Sequence, residues 1–351
     1  MQKNLINISD YYNSENITYE LIDVRSPYEY SIDHIPGALN FPALNNLERA
    51  EVGKIYNQNS FEAKKIGAAL ICKNIAVYLE NTWKDKPKSW LPVIYCWRGG
   101  DRSKSVSHVL EKIGWKVLVL DGGYKAYRKY VLNCMPEYVN NLTLSVVCGL
   151  TGSGKTKFLD YLKSKKEQVL DLEGLALHRG SLLGGIPSIN QPSQKMFDSL
   201  LLDKLKSFEV NRKIFVESES KKIGDIQIPE SLIKLMRQSN CIWIETSEIE
   251  RVKLLREEYI HLTKDTIELK KILQKLIKVN KLNNNICTEN LDDPENLNKL
   301  VKDLLIKHYD PAYKKSMNKN FTKLSEAKII YMKDTQPINY SEVLEETKRL
   351  K

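Results

Sequence analysis

The sequence lacks a C-x-x-C pair, a histidine cluster and any apolar run near the length of a membrane span. Its six cysteines (Cys72, Cys96, Cys134, Cys148, Cys241 and Cys287) and five histidines are scattered, a spacing that argues against a zinc site. A helical span needs roughly 20 continuous apolar residues, and no stretch approaches that. The amino-terminal run Met1-Gln2-Lys3-Asn4-Leu5-Ile6-Asn7 has no signal-peptide core, so the expectation is a cytoplasmic protein without a membrane partner. A reducing compartment leaves no role for structural disulfides. A cysteine with a function here is then a reactive thiol, and most of the others are small buried hydrophobes. No internal repeat or low-complexity tract is apparent.

What is present suits a folded, two-domain chain. The 351 residues are 42% apolar and 28% charged, which excludes disordered and fibrous classes. The net charge of +10 is uneven: residues 251–351 hold 21 basic against 15 acidic side chains. That excess suits a polyanion such as RNA, and equally a lysine-rich solvated surface; charge does not choose between them.

Residues 20–130 alternate short apolar runs (Leu21–Val24, Val93–Tyr95, Val117–Leu120) with helix-like stretches at Ser103–Ile113 and Tyr124–Leu132. This is the rhythm of an α/β unit with a parallel sheet. Asn133–Thr143 breaks the pattern and reads as a linker, giving a first domain over 1–135. A second α/β domain, 144–250, opens at Leu144–Cys148 and repeats at Gln168–Leu172, Ile214–Glu217 and Cys241–Glu245. Helices are expected at Ser193–Phe208 and Ser231–Arg237. From about Thr246 the chain turns helical, with Ile267, Leu269, Ile272, Leu273, Leu276 and Ile277 near helical spacing. A basic, mostly helical region thus fills 251–351, with a returning strand possible at Ile329–Met332.

Two segments carry chemistry. Val93-Ile-Tyr-Cys96-Trp-Arg98-Gly99-Gly100-Asp-Arg102-Ser reads as a buried strand, a tight basic loop and a helix. Cys96 at the strand end faces the loop amides and the positive end of the helix, a geometry that favours the thiolate and cradles an anion. Arg98 and Arg102 add cationic donors, and Gly99 and Gly100 let the backbone curl with its amides inward. The bland alternative is a buried cysteine before a basic turn. The second segment, Gly149-Leu-Thr-Gly152-Ser-Gly154-Lys155-Thr156, fits G-x-x-x-x-G-K-[ST] without a mismatch, between a strand and a helix. Its amides and Lys155 suit a diphosphate, and Thr156 could hold Mg²⁺. Glu217 ends a strand where Asp is usual; it could orient a metal-bound water or cap a turn.

Leu21-Ile-Asp-Val-Arg25-Ser-Pro-Tyr-Glu29-Tyr with His34-Ile-Pro-Gly37-Ala-Leu-Asn-Phe-Pro42 resembles the amino-terminal signature of rhodanese domains. Val119-Leu-Asp-Gly122-Gly123-Tyr-Lys-Ala-Tyr resembles their carboxy-terminal one. The fold class implied is α/β: a rhodanese-like domain, then a P-loop NTPase-like α/β domain with a helical carboxy-terminal region. Five residues separate Cys96 from Arg102, where common rhodaneses have four. The wider loop resembles that of rhodanese-related phosphatases and could fit an atom larger than sulfur, while Tyr95 replaces the histidine usual in tyrosine phosphatases.

The domain order, with Cys-Trp-Arg-Gly-Gly in the first loop, resembles the tRNA 2-selenouridine synthases. Further matches lie at His178-Arg179-Gly180-Ser181, Gln191-Pro-Ser-Gln194 with Phe197, and Glu217-Ser-Glu219-Ser-Lys-Lys-Ile-Gly224, so the likeness runs from about residue 15 to 245. The resemblance implies that wobble 2-thiouridine of tRNA is alkylated with geranyl diphosphate and that S-geranyl is then displaced by selenium from selenophosphate. On that reading Cys96 carries selenium as a selenenylsulfide and the P-loop holds the diphosphate; a P-loop also suits ATP or GTP. His178 and Arg179 could assist the diphosphate, contact RNA or serve the fold. The rival reading is a rhodanese-type sulfurtransferase or phosphatase coupled to a nucleotide-dependent P-loop kinase or NTPase.

Overall fold

The computed structural model describes residues 4–14, 17–181, 183–186, 188–260, 266–278, 291 and 293–332. The chain divides into two units, Met1–Glu137 with Pro192–Lys206, and Tyr138–Gln191 with Ser207–Lys351.

The first unit is built on strands β1 (Leu5–Ile6), β2 (Glu20–Asp23), β3 (Leu39–Asn40), β4 (Pro92–Tyr95) and β5 (Leu118–Leu120). They form one sheet in the order β1-β5-β4-β2-β3, and every pairing is parallel. Helices α1 (Ile8–Asn13), α2 (Pro27–Ile32), α3 (Asn46–Gln58), α4 (Ser60–Tyr78), α5 (Asp101–Ile113) and α6 (Gly123–Asn140) connect or flank the strands. A parallel sheet covered on both faces needs apolar residues at consecutive positions, and all four residues of β4 are buried. Ile22 and Ile94, paired across β2 and β4, pack with Ile71, Trp83, Trp90 and Leu110 in the core. Local signals set the helix ends. Ser26 and Glu29 form a reciprocal capping box on α2 with Pro27 in its first turn, and α5 stops at Gly114 in the left-handed conformation.

The second unit holds β6 (Leu144–Cys148), α7 (Lys155–Ser164), β7 (Gln168–Leu170), α8 (Leu172–Ala176) and β8 (Ile214–Glu217); α9 (Gln194–Lys206), between α8 and β8 in sequence, belongs to the first unit. A short antiparallel pair, β9 (Lys222–Ile223) and β10 (Ile226–Gln227), precedes α10 (Glu230–Gln238), β11 (Asn240–Thr246) and α11 (Glu248–Glu258). Helices α12 (Thr266–Lys278), α13 (Pro294–Leu304) and α14 (Asp310–Asn320) and strand β12 (Lys328–Met332) complete it. The main sheet runs β12-β11-β6-β8-β7, again parallel throughout. From central β6 the chain crosses to edge strand β7, comes back to β8 beside β6, and then passes to the other side for β11 and β12. The carboxyl end of β6 is therefore the point where the winding reverses, the place where open α/β sheets bind ligands.

Two expectations change. The linker expected at Asn133–Thr143 is helical as far as Asn140, because Val131, Met135 and Val139 recur every four residues and all three are buried. The apolar face outweighs Pro136, whose ring sits inside the helix. The helix expected at Ser193–Phe208 exists, but as α9 it clusters with the first unit, not with the sheet whose strands flank it in sequence. There its Asp198 pairs with Arg128 of α6 at 2.5 Å. The returning strand at Ile329–Met332 is present as β12, whereas 279–290 and 333–351 of the expected helical region lie outside the described residues, as does the side chain of Leu276.

One close approach fixes the loop after β4. A Cβ on Gly123, whose φ is +56°, would lie 2.3 Å from the Cys96 carbonyl oxygen and 2.6 Å from the Gly99 nitrogen. Gly37, with φ +81°, has nothing within 4 Å of the same construction. Gly123→Ala is expected to cost about 3 kcal/mol, combining left-handed strain with overpacking. Gly37→Ala should cost only the strain, about 1 kcal/mol. Urea unfolding of the two variants checks the difference; equal losses would contradict it.

Candidate active sites

Cys96 follows the last residue of β4 and is buried, 3% exposed. The Gly100 N–H donates to Cys96 Sγ at 3.2 Å, and Ser103 Oγ of α5 lies 3.2 Å from the sulfur. The loop curls through Gly99 at φ +68°. Its outer side is pinned by the first turn of α6: Tyr124 N–H donates to the Cys96 carbonyl at 2.9 Å and Lys125 N–H to that of Trp97 at 3.0 Å. Carbonyls tied outward in this way leave the amide groups free to face inward.

The two arginines of this loop behave differently. Arg98 is exposed. Arg102 is held by Glu29, with Nη1 donating to Oε2 at 2.7 Å and Nη2 to Oε1 at 3.3 Å. Burial alone would raise the Glu29 carboxyl, but the Arg102 hydrogen bond and charge bring it below its ordinary value. Two of the five N–H donors of Arg102 are thus taken by Glu29.

The amino-terminal signature supplies what stands under this loop. Arg25, 1% exposed, is chelated by Asp23, donates to the Asp33 carbonyl at 2.7 Å and lies 4.0 Å from the centre of the Tyr124 ring. Tyr124 in turn donates to Asp33 Oδ2 at 2.7 Å. Burial raises Asp33 above the usual carboxylate range. Trp97 lies against Tyr124 with ring centres 5.1 Å apart, and both line an open cavity of about 340 Å³ with Arg25, Arg49 and Lys195.

In the second unit Gly149–Gly154 joins β6 to α7, with Gly149, Gly152 and Gly154 all at positive φ. A Cβ at Gly149 would meet the Ile244 carbonyl oxygen at 2.7 Å, so glycine is required there. Lys155 Nζ donates to the Gly149 and Leu150 carbonyls at 3.0 and 3.4 Å and lies 3.6 Å from Glu217 Oε1. Thr156 Oγ1 donates to Glu217 Oε2 at 3.3 Å. Arg179 lines the same cavity, of about 510 Å³, and its Nη1 donates to the Glu258 carbonyl at 2.9 Å. His178 is not among the lining residues; its Nδ1 accepts from the Gly180 N–H at 3.1 Å, and burial lowers its pKa.

The fold adds residues that motif spacing misses. Tyr313 of α14 bridges the Gly149 N–H, 3.3 Å away, and Ser218 Oγ, 2.7 Å away. Arg251 of α11, bidentate to Asp310, donates to the Thr151 carbonyl at 2.9 Å. Glu173, Glu217 and Glu219 converge, with one carboxylate oxygen from each within 4.8 Å of the others. No sequence signal links the first to the other two; only the repeated Glu-Ser of Glu217-Ser-Glu219-Ser hints at a second acid.

Crowding sets the charge of this trio. Burial, then the neighbouring Glu217 and Glu219, push Glu173 up to about 10. Burial and Glu217 push Glu219 up to about 8. Glu217 is also raised by burial, an effect that Lys155 opposes. An all-oxygen set beside a phosphate loop fits a hard divalent cation such as Mg²⁺, which would bind the ionised carboxylates with the Thr156 hydroxyl at hand.

Without a cation, folding then binds protons that the unfolded chain has released. Stability should fall as pH rises from about 4.5 through about 8 and 10, because the native state is the one holding the protons. In EDTA the urea midpoint is expected to decline between pH 6 and pH 9, and Glu173→Gln should flatten that decline. Mg²⁺ should bind more tightly at the higher pH. A midpoint that rises with pH, or a slope unchanged in Glu173→Gln, would contradict the protonated trio.

Comparison with known proteins adds two domain matches. Residues 8–130 match the rhodanese-like domain and residues 142–284 the tRNA 2-selenouridine synthase AAA domain. A tRNA 2-selenouridine synthase of Nitrosomonas europaea is 36% identical over 248 residues, 68% of this chain and 63% of that protein. One from Nitrosomonas eutropha is 38% identical over the same shares. One from Shewanella halifaxensis is 31% identical over 268 residues, 74% of this chain and 71% of that protein. The matched region thus spans a little under two thirds of the two Nitrosomonas relatives.

Proposed function

The chain belongs to the tRNA 2-selenouridine synthase family, and on that premise we propose that it replaces the sulfur of wobble 2-thiouridine in tRNA with selenium through an S-geranyl intermediate. The observation that carries the reading is the pairing, on one chain, of a buried cysteine that accepts the Gly100 N–H with a phosphate loop. The two cradles suit the two anionic reagents of such a reaction. The loop of Gly149–Thr156, with Lys155, receives the diphosphate of geranyl diphosphate. The thiocarbonyl sulfur of the base displaces diphosphate at the first carbon of the geranyl group, and Lys155 with the loop amides stabilises the charge that builds on the leaving oxygen. Mg²⁺ at Thr156 and the glutamates would neutralise the same charge.

Alkylation turns a poor leaving group into a good one. The Cys96 thiolate takes the phosphoryl group of selenophosphate, the P–Se bond breaks, and water later frees the cysteine as phosphate leaves. The hydrogen selenide released in the cradle attacks the ring carbon and expels geranylthiol. Gly99 and Gly100 shape the cradle for the tetrahedral selenophosphate, and Arg98 and Arg102 attract it. The basic carboxy-terminal third supports tRNA as the partner, and a cytoplasmic location follows from that partner. Among the described residues no helix is long and apolar enough to cross a membrane.

Mass spectrometry of tRNA nucleosides from selenium-fed cells tests the activity. Cells with the protein are expected to contain 2-selenouridine derivatives. Cells lacking it should retain 2-thiouridine, and cells carrying Cys96→Ser should accumulate its S-geranyl derivative. Unchanged selenonucleoside in either strain would overturn the proposal. Affinity for substrate tRNA should fall with salt at a log–log slope of about −4 if about five phosphates are neutralised. A filter-binding series that stays flat would show the charge excess to be a solvated surface.

A further inference from the structure

The phosphate-loop cavity adjoins a second compartment, of about 70 Å³ and different chemistry. The two share Thr151, Ser181, Leu255, Tyr259 and Tyr309 as a common mouth. Beyond the mouth, the lining is aliphatic: Leu183, Leu269, Leu297, Leu300, Val301 and Leu304, with Leu305. The polar groups at the mouth are engaged with one another, since Ser181 Oγ lies 2.9 Å from the Tyr259 hydroxyl. Arg179, 5.2 Å from the centre of the Tyr259 ring, marks the polar side of that boundary. The wall is built by α11, α12 and α13, and the backbone widens into a single π turn at Leu305–Tyr309 where Tyr309 reaches the mouth. Leu269, Leu297, Leu300 and Leu304 also belong to the apolar cluster of the carboxy-terminal helices.

We propose that this compartment holds the hydrocarbon tail of the diphosphate bound at Lys155, and that the leucines of α13 set the tail length accepted. The inference rests on the reading of the P-loop as a prenyl diphosphate site and assigns the part of that site which selects the substrate. A nucleoside carries ring nitrogens and ribose hydroxyls, and buried among leucines these would be left without partners. A branched hydrocarbon loses nothing by entering. The arrangement therefore matches a ligand that is anionic at one end and aliphatic at the other, with the mouth residues at the junction. Val301 and Leu183 are only half-buried, so they can be changed at the lining without cutting into the core.

The test is calorimetric titration of the full chain with inorganic pyrophosphate, ADP, and dimethylallyl, geranyl and farnesyl diphosphates. Wild type is expected to bind geranyl diphosphate about 30-fold more tightly than dimethylallyl diphosphate. That factor is the roughly fourfold gain per buried methylene applied to about half of the five added carbons. Val301→Trp, which fills the compartment, should remove most of this gain while pyrophosphate binds as before, and Leu183→Gln should reduce it in the same direction. Retained pyrophosphate binding certifies the phosphate loop in both variants. If wild type shows the gain and both variants keep it, the tail lies elsewhere and the compartment assignment falls alone. If wild type shows no gain and binds ADP more tightly than geranyl diphosphate, the prenyl diphosphate reading itself is overturned.

Discussion

Both candidate sites depend on one constraint: at the carboxyl end of a central parallel strand, the chain must turn with its N–H groups facing inward. Such a turn passes through backbone conformations that a side chain resists. Gly99 after β4 and Gly149, Gly152 and Gly154 after β6 meet that demand. Parallel pairing makes it possible, because it gathers strand ends and helix starts on one side of the sheet, where amides and helix dipoles favour negative charge. The Cys96 sulfur and an incoming phosphate are two answers to the same positive field.

The support behind each turn is as specific as the turn itself. In the first unit, Gly123 brings α6 against the loop so that Tyr124 and Lys125 bind its carbonyls, and the Tyr124 ring continues into the Arg25–Asp33 network. In the second, Arg251 and Tyr313 hold the phosphate loop from α11 and α14. The two units also differ in how charge is stored. Arg102 is already neutralised by Glu29, whereas around Lys155 the carboxylates outnumber the cation, and two of them are pushed to about 10 and 8. A cation or a proton is what such a cluster needs.

Sequence legibility followed the range of the interactions. The Cys96 and Gly149–Thr156 loops are local, each a strand, a turn and a helix in succession, so their residue types could be read directly. Gly99, Gly149, Gly152 and Gly154 were legible for the same reason, since a positive φ is a property of one residue, whereas Gly100 sits at φ −90°. Tyr313 and Glu173 were not, because they reach the phosphate loop from 164 and 44 positions away from Gly149 and Glu217. Asn133–Thr143 misled through its asparagines and proline, although the buried positions Val131, Met135 and Val139 already carried a helical period. The membership of α9 in the first unit was hidden altogether: its amphipathic pattern tells which face is buried but not against which sheet.

The central claim is that one chain carries two chemically separate anion sites serving successive half-reactions. The measurement that tests it most directly is a single-turnover assay of each half with wild type, Lys155→Ala and Cys96→Ala. Geranylation is followed on 2-thiouridine tRNA, and selenation on chemically prepared S-geranyl tRNA. Loss of one charge-assisted hydrogen bond costs roughly 1.5–3 kcal/mol, so Lys155→Ala should slow geranylation by about tenfold to a hundredfold and leave selenation intact. Cys96→Ala should abolish selenation and spare geranylation. If Lys155→Ala geranylates normally and loses an ATP-dependent step instead, the phosphate loop is a nucleotide site and the account is wrong.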